Sequence, residues 1–147
     1  MLEYKEIEYG SSDYDQELKL RDKILRLPIG LSIKDDPTHL EENECHLGCF
    51  DRSHLVGCLI LRTIENDRIK MRQVAVDESY QSRGIGRGLI AFGEKKASRV
   101  GAAIIELHAR EHVIGFYENL GYICDGEAFL EVGMLHKKMM KKISLKG

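Results

Sequence analysis

A mixed α/β fold, with a central and mostly antiparallel sheet flanked by helices, is what this sequence predicts. Three features predict it. Three apolar runs rich in β-branched residues follow one another across residues 44–76, with only short polar turns between them, as antiparallel hairpins require. A glycine-rich entry into a helix comes directly after the third run. Beyond that helix, Ala102 to Leu107 is a short run, apolar except for Glu106, as expected of a buried central strand.

Each element has a local reason. Residues 2–9 place Leu2, Tyr4, Ile7 and Tyr9 among charged neighbours and read as a strand. Residues 13–27 put Tyr14, Leu18, Ile24, Leu25 and Leu27 at roughly helical spacing and end before Pro28. Pro28 to Thr38, with Gly30, Asp35, Asp36 and Pro37, reads as an irregular loop. Strands at 44–50, 54–64 and 68–76 are separated by the turns Asp51-Arg52-Ser53 and Glu65-Asn66-Asp67. Ile85, Leu89, Phe92, Lys96/Ala97 and Val100 form one helical stripe stopped by Gly101. A helix at 111–119 and strands at 121–125 and about 133–142 complete the order.

At 147 residues the chain is long enough for one domain with a real core, taken as 1–147. Its 43% apolar and 31% charged residues fit an ordinary soluble protein. A net charge of −2 argues against a nucleic-acid surface, and the lysine pairs at 137–138 and 141–142 read as a solvated strand face. No apolar run reaches the ~18 residues of a membrane span, and the N-terminus is no signal peptide, so a cytoplasmic protein with no membrane partner is expected. Cys45, Cys49, Cys58 and Cys124 then read as reduced, mostly buried thiols. Cys45 and Cys49, with His39, His46 and His54 nearby, have zinc-compatible spacing, but no second cysteine pair exists and no metal site is expected.

The chemistry concentrates in Val74-Ala75-Val76 and the segment after it, Gln81-Ser82-Arg83-Gly84-Ile85-Gly86-Arg87. Glycines there bring backbone N–H groups close to a ligand, the helix N-terminus adds partial positive charge, and Arg83 and Arg87 add forked donors. The combination is an anion cradle suited to a pyrophosphate. The spacing is not that of a dinucleotide fingerprint, and no Gly-Lys-Ser/Thr follows as a P-loop would need.

The segment resembles the coenzyme A signature of the GNAT superfamily of N-acetyltransferases, Gln/Arg-x-x-Gly-x-Gly/Ala, which Gln81 to Gly86 fits at every fixed position. Phe116-Tyr117-Glu118-Asn119-Leu120-Gly121-Tyr122 is similar to that family's second pattern. The resemblance implies a splay between two parallel strands, 70–76 and 102–108, that receives acetyl-CoA as co-substrate. It implies that the main chain of Val74 and Val76 pairs with the pantetheine and that Gln81 to Arg87 hold the pyrophosphate. It also makes Tyr117 the proton donor to the departing thiolate, in direct attack by a primary amine of a small molecule or protein.

Two positions depart from the family's pattern. An asparagine that often contacts the cofactor is replaced by Arg110, which could reach a phosphate or an acceptor carboxylate. The strand before the glycine loop carries Lys70, Arg72 and Gln73 but no carboxylate to serve as base, which leaves His108, and less so His136 or Glu131, as candidates. A non-catalytic acyl-CoA-binding regulatory module is the alternative reading, and a homodimer is compatible with the family. Asp35, Asp36, Glu41, Glu42 and Glu44 make an acidic segment that would suit a cationic amine, or would simply be solvated.

Overall fold

In a computed structural model, residues 1–143 are described. The chain opens with strand β1 (Leu2–Ile7) and helix α1 (Ser12–Arg21). Ser11 caps α1, its side chain accepting the Tyr14 N–H at 3.2 Å. The helical path then widens into a π turn at Asp22–Arg26 and tightens into a 3-10 turn at Leu27–Ile29, where Pro28 and the left-handed Gly30 end it. The loop expected after Pro28 contains two more 3-10 turns, Ile33–Asp35 and Thr38–Glu41.

Three strands follow, β2 (Cys45–Asp51), β3 (His54–Glu65) and β4 (Arg68–Val76), all antiparallel neighbours as read from the turns. Helix α2 spans Ile85–Arg99, strand β5 Ile104–Arg110 and the short helix α3 Ile114–Asn119. Strands β6 (Ile123–Cys124), β7 (Phe129–Glu131) and β8 (Met134–Lys142) close the described chain. Only β7 was not anticipated; it pairs with β8 through the two-residue turn Val132-Gly133, both at positive φ.

These eight strands form one sheet in the order β1-β2-β3-β4-β5-β8-β6, with β7 also against β8. Every pairing is antiparallel except β4 with β5. Helices cover both faces. α2 and α3 bury Ile85, Leu89, Ile90 and Tyr117 against Leu59, Met71, Ile105, Leu107 and Met139. α1 buries Tyr14 and Leu20 against Ile7, Phe50, Leu55 and Ala75 on the other face. Each fully buried aliphatic side chain contributes about 1.5–3 kcal/mol. Of the predicted α2 stripe, Val100 is exposed, and the inward positions are completed by Ile90 and Gly93.

The α1 face also encloses a charged network that the apolar pattern did not reveal. Arg21 is fully buried and bonds Glu17 at 2.9 Å and both oxygens of Glu41 at 2.8 and 2.7 Å. Tyr14 donates to Glu41 at 2.8 Å, and His46 Nδ1 meets Glu17 at 3.0 Å. Cys49 packs on the opposite face from His46, so these two side chains do not meet. Cys124 is exposed, unlike the buried Cys49 and Cys58.

Candidate active site

The parallel pair β4–β5 is registered over three residues only: Arg68 with Ile104, Ile69 with Ile105 and Lys70 with Glu106. Beyond these the strands part, and a cleft of about 740 Å³ opens between them. A β-bulge contributes to the divergence. The step from Cys58 to Ile60 on β3 faces the longer step from Ala75 to Arg72 on β4, and Gln73 lies at φ +56°. Arg21 Nε donates to Gln73 Oε1 at 3.3 Å, which ties the bulge to the buried network. The extra residue reverses the pleat, so Val74 and Val76 join Ile69 and Met71 on the α2 face while Ala75 faces α1.

At the mouth of the cleft, Asp77 ends β4 and accepts the Ser79 N–H at 2.9 Å. Burial opposes this carboxyl's charge less than the Ser79 N–H favours it, and with Lys23 at 3.2 Å it is held below its usual range. The chain then turns through Ser82 and Gly84, both left-handed at φ +67° and +79°. Gly84 caps α2 with no side-chain bond, so the first-turn N–H groups of Ile85, Gly86 and Arg87 have no intrahelical acceptor. Gln81, Ser82, Gly84, Ile85, Gly86 and Arg87 line the cleft. Gln81 Nε2 also donates to the Val76 carbonyl at 3.1 Å. Arg83 does not line the cleft; its guanidinium lies 5.0 Å from the Tyr80 ring centre. A Cβ on Gly86 would come within 3.3 Å of Phe116, so the glycine sets how close α2 and α3 approach.

Tyr117 enters from the α2 face. Its ring is packed edge-on against Phe116 and Tyr122, at 5.1 and 5.7 Å, and burial raises its hydroxyl well above the usual range. The side chain borders the cleft, and burial is the sole cause of that shift.

His108 and Arg110 enter from the other face, since β5 alternates and Leu107 and Ala109 are in the α2-side core. His108 Nδ1 meets Glu131 Oε1 at 2.8 Å, and its ring packs edge-on to Phe129 at 4.9 Å. A carboxylate only accepts, so Nδ1 carries a proton, and in the neutral ring the lone pair is then on Nε2. Burial opposes charge on Glu131, but the His108 bond and the nearby His108, His136 and Lys70 charges hold its carboxyl below the usual range. Burial in turn pushes the Lys70 ammonium down. His136 lies beside this pair, its Nε2 3.9 Å from Glu131 Oε2. Arg110 donates to the Leu25 carbonyl at 2.9 Å.

The acidic segment does not face the cleft as a cation site. Asp36 is held by Arg26 at 3.0 and 2.9 Å, Glu41 by Arg21, and Glu44 by Arg72 at 2.7 Å. Glu131 is the one carboxylate among the described cleft-lining residues. Cys124 is not among them. Sequence reading missed Gln73 and Arg26 as cleft residues: a left-handed glutamine has no sequence signature, and Arg26 reads as an ordinary helix-end charge.

A family model for the acetyltransferase (GNAT) family matches residues 7–122. The chain belongs to the GNAT family. Its members use acetyl-CoA, and the chain is thereby an acetyltransferase by family. Among its relatives, the uncharacterized N-acetyltransferase YjcF of Bacillus subtilis (strain 168) is 26% identical over 123 residues, covering 83% of this chain and 87% of that protein. Escherichia coli ElaA has the same fold, with a TM-score of 0.83 at 20% identity over 97% of this chain and all (100%) of that one. An aminoglycoside 6'-N-acetyltransferase complexed with coenzyme A superposes with a TM-score of 0.80 at 18% identity, covering 99% of each chain. At these identities the two structures show the shared GNAT fold. Among the described residues, no helix is long and apolar enough to cross a membrane.

Proposed function

We propose that this chain is an acetyl-CoA-dependent N-acetyltransferase that acetylates a primary amine of a small molecule or protein by direct attack in a ternary complex. The observation that carries the reading is the parting of β4 from β5 beyond Lys70 and Glu106, with the α2 N-terminus, which has no side-chain cap, at one end of the gap and Tyr117 bordering it. Acetyl-CoA, when bound, supplies the acetyl thioester. The residues fit it. Val74, Ala75 and Val76 lie along the reach of β4 that pairs with β3 but not with β5, and offer main-chain groups on the β5 side. Gln81, Ser82, Gly84, Ile85, Gly86 and Arg87 offer a ring of backbone donors and one guanidinium to a pyrophosphate. Arg83 contributes charge from behind, through its stacking on Tyr80.

The amine must lose a proton to attack, and the departing thiolate must gain one. We assign the first to His108 Nε2 in the neutral ring, which Glu131 orients through Nδ1. We assign the second to Tyr117, whose raised pKa keeps it protonated at neutral pH. The two side chains approach the gap from opposite faces of the sheet, so neither blocks the other.

Calorimetric titration with acetyl-CoA, beside NADH and ATP, tests the cradle. Selective acetyl-CoA binding is the expected result, followed by amine-dependent release of free thiol. Absence of acetyl-CoA binding would overturn the proposal, and binding without thiol release for any amine would favour the regulatory module.

A further inference from the structure

Two guanidinium groups converge at the cleft wall on a single carbonyl. Arg26 Nη1 and Arg110 Nη2 both donate to the Leu25 oxygen, at 3.1 and 2.9 Å. The one carboxylate bonded to either guanidinium is Asp36, which Arg26 engages bidentately and which also lies 3.9 Å from Arg21 Nη2. Arg110 therefore has no carboxylate partner among the described residues. Burial and the adjacent Arg26 charge disfavour its own charge, against the weaker favourable pull of the Glu131 carboxylate, which is itself bonded to His108. Two like charges that share one bonded carboxylate, partly out of water, are held at a cost that a bound anion removes. Arg72, the other cationic liner on this face, is already neutralised by Glu44.

Position decides which anion. The phosphate cradle lies at the α2 N-terminus, after β4, while Arg110 lies on β5 and points to the α1 side, two residues from His108 on the same face. Their backbone positions are separated by about 7 Å along the strand. Two hydrogen bonds of about 2.9 Å each, with the few bonds that separate an amino nitrogen from a nearby carboxylate, cover that separation.

We infer that the acceptor is a small amine carrying a carboxylate, of the amino-acid class, with its carboxylate seated on Arg110 beside Arg26 and its amine at the His108–Glu131 pair. This rests on the N-acetyltransferase reading above. The guanidinium fork suits a carboxylate, and its contact with Leu25 fixes it before the ligand arrives.

The test uses the full chain, acetyl-CoA, the free amino acids, their carboxamides, and spermidine. The expected result is that the best acceptor is a free amino acid and that its carboxamide has a KM raised about tenfold or more, as a site built for a missing polar group demands. In Arg110→Gln this acid-over-amide preference collapses to within about threefold, while acetyl-CoA affinity by calorimetry is retained. Arg110→Lys, which keeps the charge and loses the fork, restores the preference in part. Better turnover of carboxamides or spermidine by the wild-type protein would overturn the inference and leave the acetyltransferase reading standing. So would loss of acetyl-CoA affinity in Arg110→Gln with the preference intact, which would give the anion seat to a coenzyme A phosphate. Failure of the wild-type protein to bind acetyl-CoA would remove both.

Discussion

Gly84 and Arg83 are neighbours with opposite roles, and substitution separates them. Gly84 is left-handed, so Gly84→Ala strains the loop by about 1 kcal/mol or more and moves the donors it aims. Gly86→Val would press on Phe116. Both should weaken acetyl-CoA binding by about tenfold or more in calorimetry, since each displaces several backbone donors. Arg83→Ala should cost less than about threefold, its side chain lying on Tyr80 outside the cleft, where a cation–π contact is worth only about 0.5–1 kcal/mol. Tyr117→Phe should lower kcat by about 10²-fold with acetyl-CoA affinity unchanged; an unchanged kcat would remove Tyr117 from the chemistry. Most of the lining was legible because glycines, arginines and an aromatic pair have local reasons to sit where they do. Gln73 was not, because its positive φ is imposed by the bulge and by Arg21. Nor was the pairing of Asp36, Glu41 and Glu44 with arginines, because ion pairs across the fold leave no periodicity.

At the level of elements, hairpin signals read from the turns placed β2, β3 and β4 correctly, and the helix and strand order after the glycine loop followed from spacing. The three-residue strand β7 escaped notice, and it is the element that brings Glu131 to His108. Its turn carries Val132 at φ +46°, an uncommon conformation for a β-branched residue. Val132→Gly should therefore stabilise the protein by about 1 kcal/mol, read as a higher urea midpoint at unchanged slope. A lower midpoint would mean that the valine side chain, which borders the cleft, contributes more by packing than its backbone costs.

Across the whole molecule, two apolar layers and one buried charged knot hold the sheet. Arg21→Leu leaves Glu17 and Glu41 without their cation and should cost about 3–5 kcal/mol in denaturant unfolding. His46 gives the same knot a pH dependence. Burial disfavours its charge, but Glu17 and Glu41 favour it more, and its folded pKa lies above the usual 6.5. Its charged contribution is complete below that value and is lost as pH rises through the elevated folded one. The opposite holds for Glu41: burial disfavours its charge, but Arg21 outweighs that and holds its pKa below 4.5, so its contribution fades only as pH falls through the depressed value. The stability gap between wild type and His46→Gln should narrow as pH climbs from 6 toward 9, which urea unfolding at about four pH values would measure. A gap that stays constant would assign His46 to packing alone.

The parting of two parallel strands makes the sheet a partition with a single slot. Helix α2, Tyr117 and the glycine turn stand in one room; His108, Arg110 and the α1 wall stand in the other. On the reading proposed above, the thiol carrier and the acceptor would occupy different rooms and would leave by different doors. A conjugate that joined an acceptor to a thiol carrier would be threaded through the wall like a bolt. Such a molecule should leave far more slowly than either half, for reasons of route rather than of contact.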